Sequence, residues 1–141
     1  MTALRIDQGM AAAAAEALQG DVDRELRTRY RQLRVMLHTA GLAATYAFIA
    51  SKAKDMDGAG SGRPDRLAVA YQTAGEAIRK RLVRRGMFPG GAEPRNPREV
   101  LTALGTMSQV EYARASAEAA AMVGWLARLA DALYKPADEN D

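Results

Sequence analysis

A chain of 141 residues, 48% hydrophobic and 26% charged, has the size and balance of one globular domain, which excludes a disordered chain. It contains no cysteine and one histidine, so a disulfide framework and thiolate metal sites are ruled out and a zinc site lacks ligands. The net charge of +3 is unevenly spread: residues 24 to 38 hold five arginines against Glu25, and residues 76 to 98 hold seven cations against Glu76 and Glu93. Such clusters suit a polyanionic partner, although a charged helix face is also the ordinary form of a solvated surface.

The first expected helix runs from a cap at Asp7 to about Gln19, with Met10, Ala14, Ala17 and Leu18 near one face and Gly20 as its stop. A second starts near Asp21 or Asp23 and runs to Ala40. At 100° per residue Val22, Leu26, Tyr30, Leu33, Leu37 and Ala40 share one side, and Arg24, Arg27, Arg31 and Arg34 form a narrow stripe beside it. Gly41 ends that helix, and Leu42 to Ala53 form a third, apolar enough to be buried. Residues 55–64, DMDGAGSGRP, read as a linker.

A fourth helix is expected from Pro64 to Arg85, with Leu67, Tyr71, Ala74, Ile78 and Leu82 on its core face and Lys80, Arg81 and Arg84 leaving on another side. Asn96 caps a short fifth helix that begins at Pro97 and ends near Leu104. Ser108 and Glu111 form a capping box that opens a long last helix to about Tyr134, whose apolar surface is assigned to Val110, Ala113, Ala117, Ala121, Val123, Trp125, Leu126, Leu129 and Leu133. No strand pattern occurs. The expected architecture is all-α, a single compact bundle of about six helices over residues 1–134, followed by a disordered acidic tail over residues 135–141.

No catalytic set assembles from these elements. His38 is alone, Ser51, Ser108 and Ser116 have no positioned base, and GAGSG at 58 to 62 lacks the strand and the Lys-Ser of a phosphate loop. No metal site and no cofactor are expected. With no apolar run of eighteen residues and no signal peptide pattern, the expected location is the cytoplasm.

Three segments in order carry a resemblance. YRQLRVMLHTAGLAATYAFIASK at 30 to 52, EYARASAEAAAMVGWLARLADAL at 111 to 133 and the alanine-rich DQGMAAAAAEAL at 7 to 18 together resemble the small helical subunit of the type III-B CRISPR effector, the Cmr complex. Val35 and Met36 stand where that family's pattern has a proline, and Leu129 where it has a phenylalanine. The resemblance implies a non-catalytic subunit of an RNA-guided antiviral ribonucleoprotein. Its partners would be copies of itself, the backbone and large subunits, and the guide and target RNA, with RNA cleavage belonging to the backbone subunit. Arg24, Arg27, Arg31 and Arg34, together with Lys52, Lys80, Arg81 and Arg84, become the expected RNA-binding residues, acting through phosphate contacts. Two other classes stay open: a DNA-binding helix-turn-helix regulator centred on Gly41, whose recognition helix would be the least polar in the chain, and a structural bundle with protein partners only.

Overall fold

The computed structural model describes residues 2–54 and 66–136, with side chains from Gln8 to Lys54 and from Leu67 to Pro136. Among the described residues six α-helices follow one another: α1 (Thr2–Ala17), α2 (Arg24–Ala40), α3 (Leu42–Ala53), α4 (Arg66–Arg84), α5 (Pro97–Gly105) and α6 (Gln109–Leu133). A single 3-10 turn, Pro89–Gly91, lies between α4 and α5. The architecture is all-α and compact, and none of the described helices is long and apolar enough to cross a membrane. The 55–64 linker, the Pro64 helix start and all of the expected tail beyond Pro136 lie outside the described residues.

Local chemistry sets most helix boundaries. Asp23 caps α2 by accepting from the Leu26 N–H at 2.9 Å, and Asn96 caps α5 by accepting from the Glu99 N–H at 2.9 Å, with Pro97 in the first turn. At α6 the capping box closes both ways: Ser108 Oγ accepts from Glu111 N at 3.1 Å, and Glu111 Oε1 accepts from Ser108 N at 2.8 Å. The first helix departs from expectation. It begins at Thr2, so Asp7 is interior rather than a cap; nothing in TALRI interrupts a helix.

The core is shared by every helix. Met10, Ala14 and Leu18 from the first segment meet Tyr30, Leu33 and Leu37 of α2, Leu42, Tyr46 and Ile49 of α3, Ala74, Ile78 and Leu82 of α4, and Met122, Val123 and Leu126 of α6. Each fully buried Leu, Ile or Met side chain contributes roughly 1.5–3 kcal/mol. Helix α6 is the central post, packed against α1, α2 and α4, while α3 lies on α4 and touches α5. Only one face of α3 is buried, since Ala44, Ala47, Ser51 and Lys52 are exposed.

The assigned face of α6 needs a larger correction. Val110 is 62% exposed and Ala113, Ala117 and Ala121 face outward, whereas Ala115, Glu118, Ala119, Met122, Val123, Leu126, Ala127 and Ala130 are buried. Alanine on every side of this helix gives almost no periodic signal, and the orientation is set by Met122, Val123 and Leu126 with a buried ion pair at Glu118. That pair is also where Arg81 goes. Instead of leaving the bundle, it is 6% exposed and donates from Nε to Glu118 Oε2 at 2.8 Å, with Arg85 Nε at 3.5 Å from the same oxygen.

Helices α2 and α6 run antiparallel. Their opposite ends are tied by a backbone bridge between Val22 and Tyr134 and by a hydrogen bond from the Ala43 N–H to the Tyr112 hydroxyl at 2.9 Å. Gly41 sits between α2 and α3 at φ +94° and ψ 168°, a region closed to other residues, and it offers no side chain to cap α3; Tyr112 takes that role. Gly41→Ala should therefore lower stability by about 1–3 kcal/mol, and Tyr112→Phe by about 1 kcal/mol, read by urea denaturation.

Tyr30 is 1% exposed and has no hydrogen-bond partner for its hydroxyl among the described residues; burial pushes its pKa up from 10.0 to about 12. Between those values the unfolded chain has lost the phenolic proton and the folded one has kept it, so stability falls as pH rises. Tyr30 should contribute a decline of about 2 kcal/mol from pH 10 to 12, at 1.36 kcal/mol per pKa unit between half-titrated end points, and Tyr30→Phe should remove that share.

Candidate nucleic-acid interface

The α2 stripe exists, but its four arginines do different things. Arg24 and Arg34 are exposed. Arg31 donates from an Nη to Asp131 Oδ1 at 2.8 Å, and Arg27 places its guanidinium 4.0 Å from the Tyr134 ring centroid with Nε 3.9 Å from the same aspartate oxygen. That last distance is too long for a hydrogen bond, and Arg27 Nε is buried without one. Arg27 is thus partly a packing residue that fastens the end of α6, and Arg31 an exposed cation with an exchangeable partner. An exposed ion pair contributes about 0–1 kcal/mol, so a phosphate can displace Asp131 from Arg31 at little cost.

Beside this stripe α6 presents its outer face. Arg114, Ala117, Ala121, Gly124 and Arg128 recur at i, i+3, i+7, i+10 and i+14, and all are exposed except Gly124, which is half-buried. The guanidinium Nε of Arg34 lies 4.0 Å from the point a β-carbon on Gly124 would occupy, so the α2 cations border the α6 stripe directly. Arg128 stands at the far edge, 5.5 Å from the Trp125 ring centroid, and Trp125 itself packs against the core. The result is a low floor of small residues between arginines from two helices. Guanidinium forks match phosphate oxygens, and the absence of bulk on the floor lets a backbone come close. Arg114 and Arg128 do not stand out in the sequence, because Ala113, Ala117 and Ala121 beside them read as an apolar face; the 14-residue spacing opposite Met122 and Leu126 is the signal available there.

The remaining expected cations are elsewhere. Lys52 is exposed on the last turn of α3, 5.6 Å from the ring centroid of Phe48, which makes an edge contact with Tyr71 of α4. Lys80 and Arg84 rim a cleft between α1 and α4, and Arg81 is buried beneath them. Arg79 is engaged by Glu76 through two hydrogen bonds of 2.9 and 2.8 Å and donates to the Pro94 carbonyl at 3.1 Å. Those bonds hold the Glu76 carboxyl below the usual range and raise the Arg79 guanidinium. Of the second cationic segment, Arg79, Arg81 and Arg85 therefore serve internal carboxylates.

His38 is exposed in the last turn of α2, and among the described residues no group of three acidic or histidine side chains could hold a metal ion. Comparison with known families gives a match to the CRISPR-associated protein (Cas_Cmr5) family over residues 6–133. The chain belongs to the Cmr5 family. Members are the small subunit of the type III-B CRISPR effector, the Cmr complex. Neither the curated proteins nor the solved structures gave a significant match. In this Cmr5 chain the family match covers α1 from residue 6 and the whole of α2 to α6, so it includes both sides of the α2/α6 seam as well as the α1/α4 cleft.

Proposed function

We propose that this Cmr5 chain is a non-catalytic cytoplasmic subunit that stacks with copies of itself along the Cmr effector, next to the backbone and large subunits, and lines the path of the guide and target RNA. The arginine surface shared by α2 and α6 carries this proposal: Arg24, Arg31, Arg34, Arg114 and Arg128 are all exposed and flank a floor of small residues. Contacts of that kind position a nucleic-acid backbone without reading bases. A helix-turn-helix regulator is disfavoured by α3, whose outward face offers Ala44, Ala47, Ser51 and Lys52, too little to read base edges.

Affinity purification of the tagged chain from the cell that natively makes it tests the assignment. The expected result is a set of effector subunits with bound guide RNA and no nuclease activity in the chain alone. Recovery of the chain on duplex DNA, free of other effector subunits, would overturn it.

A further inference from the structure

The cleft between α1 and α4 encloses about 430 Å³ and lies away from the α2/α6 surface. Its floor is Ala13, Ala17 and Ala77, backed by Arg81, which is pinned by Glu118 on α6. Gly9 allows α1 to approach that arginine, because a β-carbon there would stand 3.2 Å from an Arg81 Nη. The rim on α4 changes character along the helix: Gln72 and Glu76 come first, then Lys80 and Arg84. From Gln72 to Arg84 the rim runs about 18 Å at 1.5 Å per residue, or three turns of helix. Alanines on the floor permit a second helix to settle at the short end of the 8–10 Å interaxial range.

We propose that this cleft docks an acidic helix of a different protein chain, with carboxylates one turn apart set against Lys80 and Arg84. Nucleic acid is the poorer occupant: the cleft's exposed cations, Lys80 and Arg84, stand at one end only, while Glu16 and the Arg79-bonded Glu76 line the rest, so a phosphate backbone following the groove would lack partners along most of it. A second copy of this chain does not supply the helix either: no described helix carries two exposed carboxylates one turn apart. The inference rests on the chain being a subunit of an assembly, and not on the RNA surface.

A photoreactive benzoylphenylalanine at Gln72, in the full chain and in its native cell, tests the docking. The expected product is an adduct with another polypeptide, mapped by mass spectrometry to a helical segment with carboxylates at i and i+3 or i+4. Lys80→Glu with Arg84→Glu should cut its yield at least tenfold, and changing the partner's two carboxylates to lysine should restore it. Both changes are on exposed rim positions, so the fold is retained, which circular dichroism verifies. An adduct with RNA, an adduct with a second copy of the chain, or no adduct from a chain still incorporated in its assembly would each overturn the docking. If the partner is an acidic protein outside the Cmr effector, the docking stands and the proposed function fails.

Discussion

Glu118→Ala should lower the stability of this chain by about 3–5 kcal/mol, because it leaves Arg81 as an uncompensated charge in the α4–α6 seam. The Arg81 and Glu118 side chains are 5% and 10% exposed and share a 2.8 Å hydrogen bond, so neither is hydrated well enough to stand alone. For a domain of this size the loss corresponds to a melting temperature lower by roughly 10–17 °C. Replacing both together, Arg81→Met with Glu118→Leu, should recover most of it, since a buried pair is costly to desolvate and a well-packed apolar pair is not. Circular dichroism melts of the single variant, the double variant and the parent check this. A Glu118→Ala melt within two degrees of the parent would mean that the pair is solvated in solution.

The second large effect concerns RNA. Changing Arg24, Arg34 and Arg128 to Glu should weaken target RNA retention by the assembled effector by about a hundred- to a thousandfold at low salt, at roughly tenfold per charged hydrogen bond lost. The loss should be nearly independent of RNA sequence. Each lost contact should also flatten the slope of log affinity against log salt by about 0.7. These three positions give a cleaner test than the whole stripe. Reversing Arg27 or Arg31 would place a carboxylate beside Asp131, and reversing Arg27 would also strip the guanidinium from Tyr134, mixing folding with binding. If the triple variant binds RNA with an unchanged salt slope but no longer enters the complex, the α2/α6 surface is a protein interface.

How much of this was visible in the sequence depended on how strongly each residue speaks for itself. Gly41 marks the α2–α3 junction because few other residues adopt its backbone angles, and α3 was delimited at Leu42 and Ala53 as found. Asn96 and Ser108 announce their helices because a cap is a local device of three or four residues. The buried side of α2 was legible from Tyr30, Leu33 and Leu37, large side chains at helical spacing.

The α6 orientation was not legible, since alanine marks neither inside nor outside. Arg81 could not be placed either. Its neighbours Lys80 and Arg84 are exposed, and its partner Glu118 lies 37 positions away, on a helix where Val123 and Leu126 mark the inner face but the alanines do not. The same ambiguity hid Arg114 and Arg128, and with them half of the candidate RNA surface. For the α2 stripe the sequence revealed four cations on one flank, but the division of labour among them is set by Asp131 and Tyr134 at the other end of the chain.

Photo-crosslinking of 4-thiouridine-substituted target RNA to the reconstituted effector, followed by peptide mapping, tests the central claim most directly. RNA adducts on this chain are predicted within α2, around Arg24 to Arg34, and on the outer face of α6, from Arg114 to Arg128. Adducts confined to the α4 segment around Lys80 and Arg84, or none on a chain that is fully incorporated, would contradict the claim that the α2/α6 arginine surface lines the RNA path.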